Sequence, residues 1–135
     1  MQIILRILEK AGGWTPSLYL KIEHDPFMAL VIEATDESGP TGLPCISVAH
    51  YGEQNGDLMR DPEMCFEVHE KTLDAFYFRN DYLGIEQWSR SIERGLLYHH
   101  ISLHHQHQQF AKHWDENLRN QGFLEAFERQ LTQRA

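Results

Sequence analysis

Apolar and polar positions alternate along this chain with two different periods, and the switches between them mark its elements. Residues 2–11, QIILRILEKA, set Ile4, Leu5, Ile7, Leu8 and Ala11 at helical spacing, and Gly12-Gly13 supplies a stop. Over residues 17–23 the period becomes two: Leu18, Leu20 and Ile22 alternate with Tyr19, Lys21 and Glu23, as in a half-buried strand. His24-Asp25-Pro26 makes a turn, and residues 29–35 resume the alternation, so these two strands should pair antiparallel. Residues 36–44 hold two glycines, two prolines and a serine and read as an exposed loop. Residues 45–51 and 63–70 are the next alternating runs, separated by a polar connection. Residues 73–80 suit a further strand, and Asp81-Tyr82-Leu83-Gly84 a turn. Residues 85–93 fit a helix through Trp88 and Ile92 or a strand by alternation; a meander of close hairpins already under way favours the strand.

From about residue 97 to 120 the helical period returns. Leu103, His107, Phe110, Trp114 and Leu118 form one stripe of a long amphipathic helix, and Gln121-Gly122 ends it. Phe123, Phe127 and Leu131 space a short last helix, with residues 132–135 expected to fray. The fold class that follows is α+β in a single domain, residues 1–135. It has an N-terminal helix, an antiparallel meander of five or six strands, and a long and a short C-terminal helix packed on one sheet face. The other face is then the more polar one, carrying Tyr19, Lys21, Glu23, Glu33, Glu67 and His69, unless a homodimer covers it.

Charge narrows the function classes. Twenty acidic against twelve basic side chains give a formal charge of -8, and the basic residues do not cluster. Such a surface repels phosphate, which argues against direct nucleic-acid binding, and it suits a basic protein partner or divalent cations. No apolar run approaches the ~20 residues of a membrane span, and the first residues do not resemble a signal peptide, so a cytoplasmic location without membrane association is expected. Cys45 and Cys65 both fall in apolar strands, where a pair of buried thiols is favoured over a disulfide.

Three constellations could carry chemistry. The connection after Tyr51 holds Glu53, Asn55-Gly56, Asp57 and Asp61-Pro62, with Glu63 following. If it is a loop, Glu53, Asp57, Asp61 and Glu63 could gather there and hold a divalent metal, with His50 as proton carrier beside Asp57 and Asp61. The plainer reading is that turns demand Asn, Gly, Asp and Pro, and that a strand-end histidine bonds to backbone. Six of the nine histidines lie in residues 99–113; on a helix His100, His104 and His107 share a stripe that could chelate a metal, although no carboxylate or cysteine at fixed offset completes a site. Tyr77, Arg79 and Tyr82, with Trp88, place aromatic and charged groups around one turn, as protein interfaces often do.

The runs HYGEQNGDLMRDPEM, NDYLGIEQ and WDENLRNQGF resemble a domain family without assigned activity that is encoded on bacterial plasmids, integrative elements and phages. Its members share HYxEQNGDxMxDPEM, NDxxGIxQ and WxxNLxxQGF, and the resemblance covers about residues 1–123. The histidine-rich segment before Phe110 departs from that pattern. The resemblance implies a mobile-element setting and brings no cofactor or catalytic residue. The expectation is therefore an acidic, non-enzymatic protein-interaction module, such as a host-interaction or counter-defence factor of the anti-CRISPR kind. Its surface would comprise Glu53, Asp57, Asp61 and Glu63 with Tyr77, Arg79 and Tyr82. A metal-dependent hydrolase using the same carboxylates is the alternative.

Overall fold

A computed structural model describes residues 1–134 and has the α+β architecture expected from the periodicity. Helix α1 (Gln2–Lys10) precedes strands β1 (Tyr19–His24), β2 (Phe27–Ala34), β3 (Cys45–Gln54), β4 (Asp57–His69), β5 (Thr72–Asn80) and β6 (Ile85–Trp88). A short ribbon, β7 (Arg90–Glu93) and β8 (Leu96–His99), leads into α2 (Ile101–Gln121) and α3 (Phe123–Arg134). Strands β1 to β6 lie in chain order in one antiparallel sheet, while β7 and β8 pair only with each other.

The helices cover one face. Ile22, Leu30, Ile32, Ile46, Val48, Met64, Phe66 and Ala75 from the sheet join Ile4 and Ile7 of α1, Trp114 and Leu118 of α2, and Phe123 and Phe127 of α3 in one buried cluster. Fully burying each large side chain stabilises by roughly 1.5–3 kcal/mol, so this layer is the main source of stability. Polar groups lock the helices in place. Asp115 of α2 accepts the Ile3 backbone N–H at 2.9 Å and so caps α1, whose first residues carry no cap of their own. His24 Nε2 donates to the Gln121 carbonyl at 2.6 Å where α2 ends, and Gly122, at φ 84°, makes the left-handed stop that its place in the sequence predicts.

Three sequence expectations need correction. The connection after Tyr51 is not a loop: β3 runs on to Gln54, Asn55 and Gly56 form a two-residue turn with φ 53° and 86°, and β4 starts at Asp57. The whole segment is a long hairpin, and Asp61-Pro62 sits where its register slips between Ala49 and Tyr51, the kind of bulge that tolerates proline in an inner strand. Residues 85–93 are not one strand, because pairing with β5 ends at Trp88 and Arg90 turns away into the ribbon. The long helix begins at Ile101 rather than near 97, since Leu96–His99 pair as β8. Residues 132–134, expected to fray, are the end of α3; Ala135 lies outside the described residues.

Candidate functional site

Cross-strand partners share a face, so the register assigns what the uncovered side of the sheet carries. From β1 to β6 these are Tyr19 and Lys21, Val31 and Glu33, Ser47 and Ala49, Glu63 and Cys65, Tyr77 and Arg79, and Glu86 and Trp88. Past the bulge, Tyr51 and Arg60 continue it. Small residues at Ala29 and Val31, walled by Tyr19, Lys21, Glu33, Tyr51, Leu58 and Arg60, leave a groove of about 450 Å3. Tyr19 and Leu58 of its wall are exposed; Trp88, also exposed, lies on the far strand β6 and packs on Tyr77 with ring centroids 5.2 Å apart.

Beside the groove lies a compact charge network. Arg60 Nε stands 3.2 Å from Glu63 and its Nη1 3.6 Å from Asp81, while Arg79 Nε donates to Asp81 at 2.7 Å and its Nη1 lies 3.5 Å from Glu86. Ser47 Oγ donates to Glu63 and the Tyr77 hydroxyl to Glu86, each at 2.5 Å. Burial, and then the bond to Glu86, raise the Tyr77 phenol above its usual range and keep it neutral. The Arg60 backbone N–H, together with Arg79, holds Asp81 below the ordinary carboxylate range. Two arginines against three carboxylates make this region nearly balanced, not an acidic patch.

The residues expected to form an acidic loop are thus dispersed. Glu63 is engaged by Arg60 and Ser47, Asp61 accepts from Asn80 Nδ2 at 2.8 Å, and only Glu53 and Asp57 stand exposed at the hairpin end. Tyr82 does reach this hairpin, its hydroxyl lying so close to Gly52 that a Cβ there would push the ring aside. The structure brings Glu63, Tyr77 and Arg79 together and leaves Glu53, Asp57 and Tyr82 at the turn end of the sheet. His50 is separated from them: it faces the helices, between Trp114 and Phe123, and its Nδ1 donates to the carbonyls of Met28 and Ala29. Burial lowers its pKa, so it stays neutral as a packing residue.

The three helix histidines do not converge either. His100 precedes the helix as its N-cap and accepts the Leu103 N–H at 3.2 Å. His104 bonds Asp74 at 2.7 Å and His99 at 3.0 Å, whereas His107 is buried, stacked on Phe78 and bonded to Ser89 and Gln87. Among the described residues no three His, Cys, Asp or Glu side chains are placed to share a metal ion. Cys45 is buried and free, with burial followed by Glu67 pushing its thiol up to about 11; Cys65 is half-buried, also free, and raised by the same main cause, burial. Neither is an activated nucleophile.

Sequence reasoning missed the interaction that secures the far end of this face. Glu67 and Arg90 are 1 % and 5 % exposed and meet at 2.6 Å. The other Glu67 oxygen accepts from Thr41 N, Thr41 Oγ1 and Leu43 N, so the loop of residues 36–44 is tied down rather than free. Burial alone would raise the Glu67 carboxyl, but these donors and Arg90 outweigh it and lower its pKa. Gly39 is required there, because a Cβ would overlap Glu67 and Cys45. By alternation Glu67 falls on the polar face between the inward Phe66 and Val68, so nothing in the sequence marked it as buried, and its partner Arg90 lies 23 residues later.

The fold and surface define a class: a sheet layered by helices on one side, with the other side presenting a groove and an arginine–carboxylate network. Among the described residues no helix is long and apolar enough to cross a membrane. The chain belongs to the family described as domain of unknown function (DUF6908), whose pattern matches residues 2–124. No curated protein and no solved structure matches it.

Proposed function

We propose that this protein is a non-enzymatic interaction module that receives a protein partner on the uncovered sheet face. The observation that carries the reading is the groove floored by Ala29 and Val31, ringed by Tyr19, Tyr51, Leu58 and Arg60 on a side that no helix protects. Tyrosine and arginine are the residue types that anchor interfaces, because they combine large apolar area with directional hydrogen bonds. Glu53 and Asp57 at the hairpin end, within a chain of charge -8, would steer a partner with a basic rim, so binding weakens as salt is added. The resemblance of its motifs to domains of plasmids, integrative elements and phages favours a host-interaction or counter-defence role. The carboxylates of the hydrolase alternative do not gather among the described residues, which favours the interaction reading over it.

The test places a photo-crosslinking amino acid at Tyr51 or, on the helical side, at the exposed Gln109, and exposes each protein to host-cell lysate. One protein should be linked at position 51, not at 109, and disappear with Leu58→Glu. Equal labelling at both positions, or labelling at 51 that ignores Leu58→Glu, would remove this surface from consideration.

A further inference from the structure

The free edges of the strands are protected unequally. The β1 edge is covered by α3, whose Gln130 donates to the Lys21 carbonyl at 3.0 Å, and it carries the charges of Lys21 and Glu23. Strand β6 is only four residues long and has Glu86 in the arginine network. Strand β8 has no such device. All four of its residues, Leu-Leu-Tyr-His, are exposed, and it contains no lysine, proline or bulge. Exposed apolar edges of this kind pair with other strands unless something blocks them.

From this we infer that the β7–β8 ribbon is a homodimer interface, in which β8 pairs antiparallel with β8 of a second copy about a two-fold axis. The register follows from the turn. Arg94 and Gly95, at φ 53° and 79°, form a two-residue hairpin turn, so Glu93↔Leu96 and Ser91↔Tyr98 are the hydrogen-bonded pairs of the ribbon. The backbone N–H and C=O groups of Leu97 and His99 therefore point outwards, without a partner among the described residues. Matching Leu97 of one copy to His99 of the other satisfies both residues in both copies with about four hydrogen bonds and places Tyr98 opposite its own counterpart on the axis.

The surface is adequate in size and charge. Ile92, Leu96, Leu97 and Tyr98 are 51 %, 63 %, 52 % and 49 % exposed, and Ile101, just beyond, is 74 % exposed. At roughly 100 Å2 from each such half-uncovered side chain, the ribbon offers on the order of 500 Å2 of apolar surface. A standard interface buries about 800 Å2 per partner, a little over half of it apolar, so the apolar surface on offer is of the same order. Apolar side chains on both faces of an isolated two-stranded ribbon also leave it marginal in water until further strands join it. Glu93 and Arg94 offset each other at its tip, so two molecules of charge -8 can meet here with least repulsion, and added salt should strengthen the dimer.

Sedimentation and covalent trapping test this on the full chain. At micromolar concentration the parent should sediment at twice its 15.9 kDa, more completely at high salt. Leu96→Lys combined with Leu97→Lys, at exposed positions where folding is spared, should weaken the dimer by about a hundredfold or more through like charges across the axis. Under mild oxidation Tyr98→Cys should form a disulfide-linked dimer, since facing residues of a non-hydrogen-bonded antiparallel pair lie within disulfide reach. The parent, with only Cys45 and Cys65, should not. A parent that stays monomeric at high salt, a dimer indifferent to the two lysines, or a Tyr98→Cys protein that fails to cross-link would each overturn the proposal. Loss of the partner by Leu58→Glu with the dimer intact would separate this interface from the groove.

Discussion

The two faces of the six-stranded sheet solve the same problem by opposite means. On the covered face Ile22, Leu30, Ile32, Ile46, Val48, Met64 and Phe66 meet three helices, and the order is non-directional packing. On the uncovered face large side chains such as Tyr19, Leu58 and Trp88 stand among small and polar ones with no layer over them, and order comes from directed bonds: Arg60 and Arg79 on Glu63, Asp81 and Glu86 at one end, Arg90 on Glu67 at the other. Packing fixes which way the sheet faces. The bonded networks fix where individual groups stand on the free side, and a surface that receives a partner needs that placement.

The comparison is most sharply tested by removing one member from each side. Phe66, fully buried beneath the helices, should cost about 3–5 kcal/mol when changed to Ala, measured by urea unfolding, because the surrounding layer cannot collapse into the space. Arg90→Ala should cost roughly 3 kcal/mol, the lower part of the range for breaking a buried pair. Glu67 would keep its donors from Thr41 and Leu43, so it would not be left wholly uncompensated. Hydrogen exchange should then rise in residues 36–44 and in the ribbon, both held by this pair, and stay low in β3. A uniform rise across the sheet would mean that the pair serves the whole core.

A smaller effect separates the faces by pH. His50 and His107, both on the helix side, have pKa values lowered first by burial, with His104 and His100 adding to the effect on His107. Their folded values lie below the unfolded value of about 6.5, so the unfolded chain binds more protons between the two, and stability is complete above about pH 6.5 and falls as pH drops through it. Glu67 and Asp81, on the bonded side, are also lowered. Their contribution is present above the ordinary carboxylate pKa of about 4 and is lost only on further acidification. Urea midpoints should therefore fall in two stages from pH 7.5 to 3, and His50→Gln with His107→Gln should abolish the first alone. A midpoint flat from pH 7.5 to 5 in the parent would contradict this origin.

What the sequence revealed follows the same division. Period-two runs located β1 to β5, and the stripe from His107 to Leu118 located most of α2, because burial against a layer leaves a periodic trace. The bonded side leaves none. Nothing local tells that Arg90 turns inward to a residue of β4, or that Glu63 answers to Arg60 three positions earlier, since such partners are chosen in space. The ribbon was overlooked for a related reason: an arginine at positive φ in Arg94-Gly95 is not a usual turn signal, and Leu96, Leu97 and Tyr98 match a helical stripe as readily as an edge strand. The hairpin at Asn55-Gly56 was legible as a turn, but four nearby acids suggested a longer loop than the two residues that form it.

The smallest expected effect concerns those acids. Glu53 and Asp57 sit at the hairpin end, exposed and without ion-pair partners among the described residues, so the folded state has little to lose from their charge. Glu53→Gln with Asp57→Asn should leave the urea midpoint within about 0.5 kcal/mol of the parent. If these groups steer a basic-rimmed partner, the same variant should slow association while leaving dissociation nearly unchanged, and the difference should vanish at high salt, where screening shortens the reach of exposed charges. A change in dissociation would instead place the two acids inside the contact and move the binding surface from the groove to the turn end of the sheet.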